Sequence, residues 1–361
     1  MHSVYIHIPF CTHICSYCDF TKLLHLEPFV DDYLENLQKE ILDNYDGERL
    51  KTLYIGGGTP SCLTRKERIK LFQILEIFIK DPDCEYTIEC NPRDITEDFL
   101  DDVVAAGVNR ISIGVESFNE DNLKILERKA DFKDLEKRIE LIKNRGIDNI
   151  NIDLMYALPN ETIKVLRDDL KKFIKLNVSH ISTYSLMIED HTKLGNTNTE
   201  YVPSELDAKM YETICTKLKK SGFVHYEVSN YCKEGYQSIH NLNYWDNGEY
   251  YGFGLGASGF KAGFRYTNTS NLREYNEGNY RKENEMMSYK DMMDNELMLG
   301  LRKLKGINVD DFYDKYGENI QDVYPRINDY LKSGELIYRK GYLSIPEEKI
   351  YVMNEILVNI M

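Results

Sequence analysis

Hydrophobic and polar positions follow two rhythms along the first two-thirds of the chain. Short runs rich in β-branched and aromatic residues predict strands at Val4-Tyr5-Ile6-His7-Ile8, Leu53-Tyr54-Ile55, Tyr86-Thr87-Ile88-Glu89, Arg110-Ile111-Ser112-Ile113, Ile150-Asn151-Ile152-Asp153 and His180-Ile181-Ser182-Thr183-Tyr184. Between them, apolar residues recur at helical spacing. In residues 29–44 the stripe is Phe29, Tyr33, Leu37 and Ile41, and 64–79, 96–106, 131–145 and 162–175 behave alike. Strands alternating with helices predict a parallel sheet, because each parallel connection needs a crossover. Six units are too few for a closed eight-unit barrel, so the expected α/β fold is an open, partial (β/α)6 barrel. Its chemistry belongs on the loops that follow the strands. The segment 223–228 is a candidate for one further strand.

The rhythm changes after about residue 230. Residues 240–266 are rich in Gly, Tyr and Asn without helical periodicity, and polar helices return from about 289 with a short hairpin near Leu336–Ile345. The expected organisation is a barrel over 1–230, a Gly/Tyr-rich segment over 231–288 that completes the site, and a smaller, mainly helical C-terminal domain over 289–361.

Composition narrows the class. The net charge of -15 argues against nonspecific nucleic-acid binding, which needs a Lys/Arg surplus. The longest apolar stretches fall far short of the roughly 20 residues that span a bilayer. No basic region followed by an apolar run opens the chain, so no secretory signal is read and a reducing cytoplasm is expected. In that setting the 8 cysteines do not read as a disulfide framework. Cys62, Cys84, Cys90, Cys215 and Cys232 are scattered and read as small core residues.

Cys11-x3-Cys15-x2-Cys18 is different: it clusters just after the first strand, at the barrel mouth. Clustered thiolates suit zinc or an iron–sulfur cluster. Zinc takes a fourth ligand, for which His13 and His25 are near. A four-iron cluster takes four cysteines, so three leave one iron open to an exogenous ligand. Gly56-Gly57-Gly58 after the second strand reads as a turn whose N–H groups face a closely approaching ligand. Glu89 and Asp153 end strands where a carboxylate faces the mouth, and Arg128 is placed to meet a carboxylate or to lie on a helix surface.

The CxxxCxxC spacing in this position resembles the radical S-adenosylmethionine (SAM) superfamily. That resemblance implies a 4Fe-4S cluster whose open iron binds the amino and carboxylate groups of SAM, with the cluster's electron cleaving a carbon–sulfur bond to give a 5′-deoxyadenosyl radical. Tyr5-Ile6-His7-Ile8-Pro9-Phe10-Cys11, Gly56-Gly57-Gly58-Thr59-Pro60, Glu89-Cys90-Asn91-Pro92-Arg93, Gly114-Val115-Glu116-Ser117-Phe118, Ile152-Asp153-Leu154-Met155-Tyr156-Ala157-Leu158-Pro159 and His240-Asn241-Leu242-Asn243-Tyr244-Trp245 further resemble the oxygen-independent coproporphyrinogen III oxidases and their relatives, the HemW heme chaperones. These motifs cover nearly the whole chain. They imply that Tyr5, Gly57 and Glu89 contact the cluster-bound SAM, and that Gly58, Thr59, Glu116, Arg128 and Asp153 match a second SAM position in the oxidases. Position 116 is Glu where relatives generally carry Gln, which puts occupancy of that second position in doubt.

Two features separate the branches. The oxidases carry a further Cys two residues after the third ligand, where this chain has Phe20, as HemW proteins do. The first strand also begins almost at Met1, without the oxidases' N-terminal extension. His240-Asn241-x-x-Tyr244-Trp245 resembles the HemW signature around bound heme, with His240 a candidate iron ligand and Tyr244 and Trp245 flat surfaces for a porphyrin. A His beside Tyr and Trp is also a common hydrogen-bonded core arrangement. The resemblance implies a chaperone that binds heme and passes it to heme-accepting respiratory enzymes, with the cluster and SAM supporting transfer or dimerisation. No catalytic residue is assigned, and coproporphyrinogen dehydrogenase activity is not expected. A monomer or homodimer, cytoplasmic and peripheral to the membrane during delivery, fits this reading. The negative charge gives no electrostatic basis for docking to an anionic membrane, so delivery calls for a protein partner.

Overall fold

A computed structural model describes residues 2–197 and 199–361 of the chain. Six parallel strands run side by side in chain order: Ser3–Ile8, Leu50–Gly57, Lys80–Cys90, Arg110–Glu116, Asn149–Tyr156 and His180–Ser185. The helices between them start where side-chain caps allow. Thr64 forms a capping box with Glu67 at the helix Arg65–Leu75, and Thr96, Asp131 and Thr162 cap the helices Glu97–Ala105, Phe132–Asn144 and Ile163–Lys175.

Both edges extend beyond the six units. Tyr250–Phe253 joins parallel to Ser3–Ile8, and Ser258–Lys261, Phe264–Asn268 and Arg281–Met286 follow antiparallel. At the other edge Asn230–Cys232 and Val224–Glu227 complete a 12-stranded sheet. The expected strand at 223–228 is therefore present. The strands within 231–288 are short and mix Gly, aromatic and polar residues, which is why periodicity does not reveal them.

The parallel strands divide cleanly at period two. Val4, Ile6, Ile8, Leu53, Ile55, Ile88, Ile111, Ile113, Ile150 and Ile152 belong to the apolar core beneath the helices. The alternate residues bond to one another inside the barrel: Tyr54 to Glu89, Asn151 to Ser112, and His180 to Asn151. The core is thus outside the sheet and the lumen is polar. A one-residue register slip would exchange the two faces.

The C-terminal region places the helices Tyr289–Gly300, Val309–Tyr316, Ile327–Ser333 and Met353–Ile360 beside a small sheet of Ile307–Asn308, Tyr342–Ser344 and Ile337–Arg339. The hairpin expected near 336–345 is part of that sheet. Backbone bonds from Val228 to Arg302 and from Leu304 to Tyr226 tie this region to the edge of the main sheet.

Candidate cofactor site

The three clustered cysteines come from the loop after the first strand, which pairs Phe10–Cys11 with Leu23–Leu24. They open on one cleft of about 480 Å³, lined also by Phe20, Gly57, Gly58, Thr59, Glu89, Glu116, Arg128 and Asp153. All eight cysteines are free thiols. Thr59 Oγ1 donates to Cys11 Sγ at 3.5 Å and Arg128 Nη1 donates to Cys15 Sγ at 3.4 Å, which are contacts suited to a thiolate. Burial pushes the Cys11 thiol up to about 11 and also raises Cys18. Iron would have to take the place of those protons, as metal binding to thiols does. Among the described residues no three His, Cys, Asp or Glu side chains share one point suited to a single ion. A cluster needs no such point, because each thiolate binds a different iron. Three thiols around a roomy cleft fit the cluster.

The carboxylates are arranged by their neighbours. Glu89 accepts from Tyr54 Oη at 2.7 Å and from Gly57 N at 3.1 Å. Its burial, reinforced by Asp153, raises the carboxyl to about 7. Glu116 sits at φ 67, a left-handed conformation that non-glycine residues seldom adopt. It accepts from Tyr17 Oη at 3.1 Å and stands 4.0 Å from Arg128. Burial lifts it to about 7, against the pull of Arg128. Arg128 is buried rather than on a helix surface, and its Nη2 donates to Asn91 Oδ1 at 3.2 Å and to the Gly114 carbonyl. Asp153 accepts from Asn151 at 2.8 Å and is also raised by burial. Tyr5 lies deeper than the cleft wall, with its hydroxyl and His7 Nδ1 bonded at 3.0 Å.

The structure corrects two expectations. The glycine turn does not offer its N–H groups to the cleft: Gly57 N donates to Glu89, and Gly58 N to the Ile8 carbonyl at 2.8 Å. These glycines are required by packing. A Cβ on Gly57, which has φ +115, would lie 2.7 Å from the His7 ring, and one on Gly58 would lie 2.8 Å from the Pro9 and Phe10 backbone. The second correction concerns His240. It lies far from the cysteines, on the helix Ile239–Trp245 at the opposite end of the barrel, and is 1% exposed. Nδ1 pairs with Thr52 Oγ1 at 2.7 Å and Nε2 with Tyr244 Oη at 2.8 Å, so neither nitrogen is free to bind iron. Burial lowers its pKa to about 3. His240 is a hydrogen-bonded core histidine here. Trp245 lies against the C-terminal region, with the Arg302 guanidinium 5.6 Å from its ring centre.

Several site residues carried no motif of their own. Tyr17 and Tyr54 touch the acids, yet each reads in sequence as an ordinary polar residue, and Asn91, which meets Arg128, stands in the Glu89–Arg93 motif without a role of its own. Tyr184 and Met187, both exposed, line the rim opposite Phe20. Strand alternation would have pointed to Tyr54, which shares a face with Thr52.

Known proteins define the class of this site. Residues 5–173 match the radical SAM superfamily and 287–352 the HemN C-terminal domain. The solved coproporphyrinogen III oxidase (HemN) from Escherichia coli superposes with a TM-score of 0.87, covering 99% of this chain and 89% of that one at 21% identity, which shows a shared fold. The chain is a radical SAM protein with a HemN-type C-terminal domain. It is 40% identical to the heme chaperone HemW of Lactococcus lactis, covering 93% of this chain and 90% of the relative. It is 35% identical to that of Bacillus subtilis, covering 98% and 96%. This chain belongs to the HemW heme chaperone family.

Proposed function

We propose that the chain carries a three-cysteine 4Fe-4S cluster with SAM at its open iron, and serves as a heme chaperone to respiratory hemoproteins. The observation that carries the first part is the convergence of Cys11, Cys15 and Cys18 on one cleft with Glu89, Glu116, Arg128 and Asp153. When bound, the cluster and SAM supply one-electron chemistry. The chain's own residues hold them. Thr59 and Arg128 face the sulfurs, and Glu89 is the acceptor for SAM's ammonium or ribose. Glu116 and Asp153 set two carboxylates beside Arg128, a poor seat for the carboxylate of a second SAM.

The heme reading rests on the family, in which the relatives are named heme chaperones. With His240 closed inside the core, the apolar rim of the cleft is the better surface for a porphyrin. Phe20 is 66% and Met187 69% exposed there, and Met187 offers a thioether of the kind that ligates heme iron. The net charge of -15 disfavours docking to an anionic membrane, so delivery is assigned to a protein partner.

The test is anaerobic reconstitution followed by heme titration and incubation with coproporphyrinogen III. The expected result is a heme absorption band and no protoporphyrinogen. Turnover of coproporphyrinogen would sink the chaperone reading in favour of the oxidase.

A further inference from the structure

The helix Ile239–Trp245 closes the barrel at the end opposite the cysteines. Its N-terminus is fastened by the buried Glu85 carboxylate, which accepts from Ile239 N at 3.0 Å and from His240 N at 2.9 Å, with Ser238 Oγ at 3.5 Å. This places His240 flat against Tyr54, with ring centres 4.9 Å apart and planes 27° from parallel. Thr52 and Tyr54 lie two residues apart on one strand, so the strand that anchors His240 Nδ1 also carries the ring on which His240 stacks. Tyr244 holds the other nitrogen and is itself packed edge-on against Tyr250 at 4.7 Å. The far end of Tyr54 donates to Glu89, and Glu89 accepts from Gly57 in the cleft wall. A continuous path of contacts therefore runs from the closing helix through His240 and Tyr54 to the carboxylate at the SAM seat.

We infer that His240, Tyr244 and Tyr54 are positioning residues for SAM, acting on Glu89 from inside the barrel. The inference rests on the proposal that SAM binds beside Glu89. The stacked His240 ring allows Tyr54 one orientation, in which its hydroxyl meets the Glu89 carboxylate. Removing that support frees the hydroxyl, and Glu89 then lacks one of the two donors that favour its charged form. The groups facing Glu89 across the lumen are Tyr5, Tyr54, Tyr184, Tyr244, Asp153 and Arg110. Of these only Tyr54 donates to it from a side chain.

The test measures SAM affinity of the reconstituted full chain across a pH series, alongside cluster absorbance and heme titration. His240→Ala is expected to weaken SAM binding by roughly tenfold with the cluster intact. His240→Phe, which keeps a ring on Tyr54, restores most of that loss. Tyr54→Phe leaves the stack in place and removes only the hydroxyl. It should weaken SAM similarly and move the pH midpoint of binding upward, and adding His240→Ala to it should cost little more. If His240→Ala does not fold, Tyr54→Phe decides alone. SAM binding unchanged in Tyr54→Phe overturns the inference. So does a His240→Ala protein that loses its heme band while binding SAM as before. A wild-type protein that binds no SAM at all overturns the parent proposal and the inference with it.

Discussion

The two ends of the barrel differ in how their polar groups are used. At the mouth, three thiols, three raised carboxylates and a buried arginine surround an open cleft, and Phe20 and Met187 project into solvent around it. At the closed end, Glu85 takes three donors, both nitrogens of His240 are engaged, and the helix Ile239–Trp245 leaves the histidine no solvent. Thiols and carboxylates gathered in one cleft, with their protonation shifted by burial, mark a place built for a ligand. The closed end is a device of architecture, whereas the mouth is a device for a ligand. Substitutions at the two ends should therefore fail differently, one in cluster content and the other in stability and, through Tyr54, in SAM affinity.

The largest difference is expected at the cysteines. Cys15→Ser removes a thiolate that Arg128 faces and should reduce iron and visible absorbance after anaerobic reconstitution to background, with the fold preserved by circular dichroism. Full iron content in that variant would remove the cluster from the mouth. Next comes Glu85→Ala, which strips the closing helix of its anchor and strands buried donors. Its cost is expected at about 2–3 kcal/mol in urea unfolding, with iron content per folded molecule unchanged. A cost below about 0.5 kcal/mol would show the closed end to be less rigidly built than its contacts indicate.

A smaller effect should separate the ends by pH. Glu116 is held at about 7 in the folded chain, above the roughly 4.3 of an unfolded glutamate. Between those values the folded state binds the extra proton, so its contribution is complete at low pH and declines as pH rises through the window. Glu116→Gln removes that dependence. Relative to wild type, the variant should gain on the order of 1–3 kcal/mol between about pH 4 and pH 8, measured by urea unfolding of the cluster-free protein. Parallel stability curves for the two proteins would show that Glu116 titrates as an ordinary glutamate.

Much of this was legible in the residues. The six strands and the helices between them follow from period two and period 3.6, and the cysteine spacing marked the mouth. What stayed hidden has identifiable causes. The strands Tyr250–Phe253, Ser258–Lys261 and Phe264–Asn268 are short and built from Gly, Tyr and polar residues, so neither length nor alternation separates them from loop. His240 shows a deeper limit: a histidine followed by Tyr and Trp reads the same whether its nitrogens meet iron or Thr52 and Tyr244. In the structure its nitrogens meet Thr52, 188 residues away, and Tyr244. Gly57 reads in sequence as a place for ligand approach, whereas the obstacle to a side chain there is the His7 ring.

The smallest expected change in stability probes where heme contacts the chain. Phe20 is 66% exposed, so Phe20→Ala should alter unfolding free energy by no more than about 0.5 kcal/mol. An aromatic contact with a porphyrin face contributes about 0.5–1.5 kcal/mol, so the same variant should weaken heme binding by roughly 2- to 12-fold if the mouth is the heme surface. Trp245→Phe at the closed end should leave the titration as it is, because Trp245 packs against Arg302. The reverse outcome, heme binding indifferent to Phe20 and weakened at Trp245, would return heme to the closing helix. That helix would then have to open, breaking the Thr52 and Tyr244 bonds to His240, and hydrogen exchange of the Ile239–Trp245 amides would rise on heme addition. With heme at the mouth those amides stay protected, and the closing helix meets heme at no point.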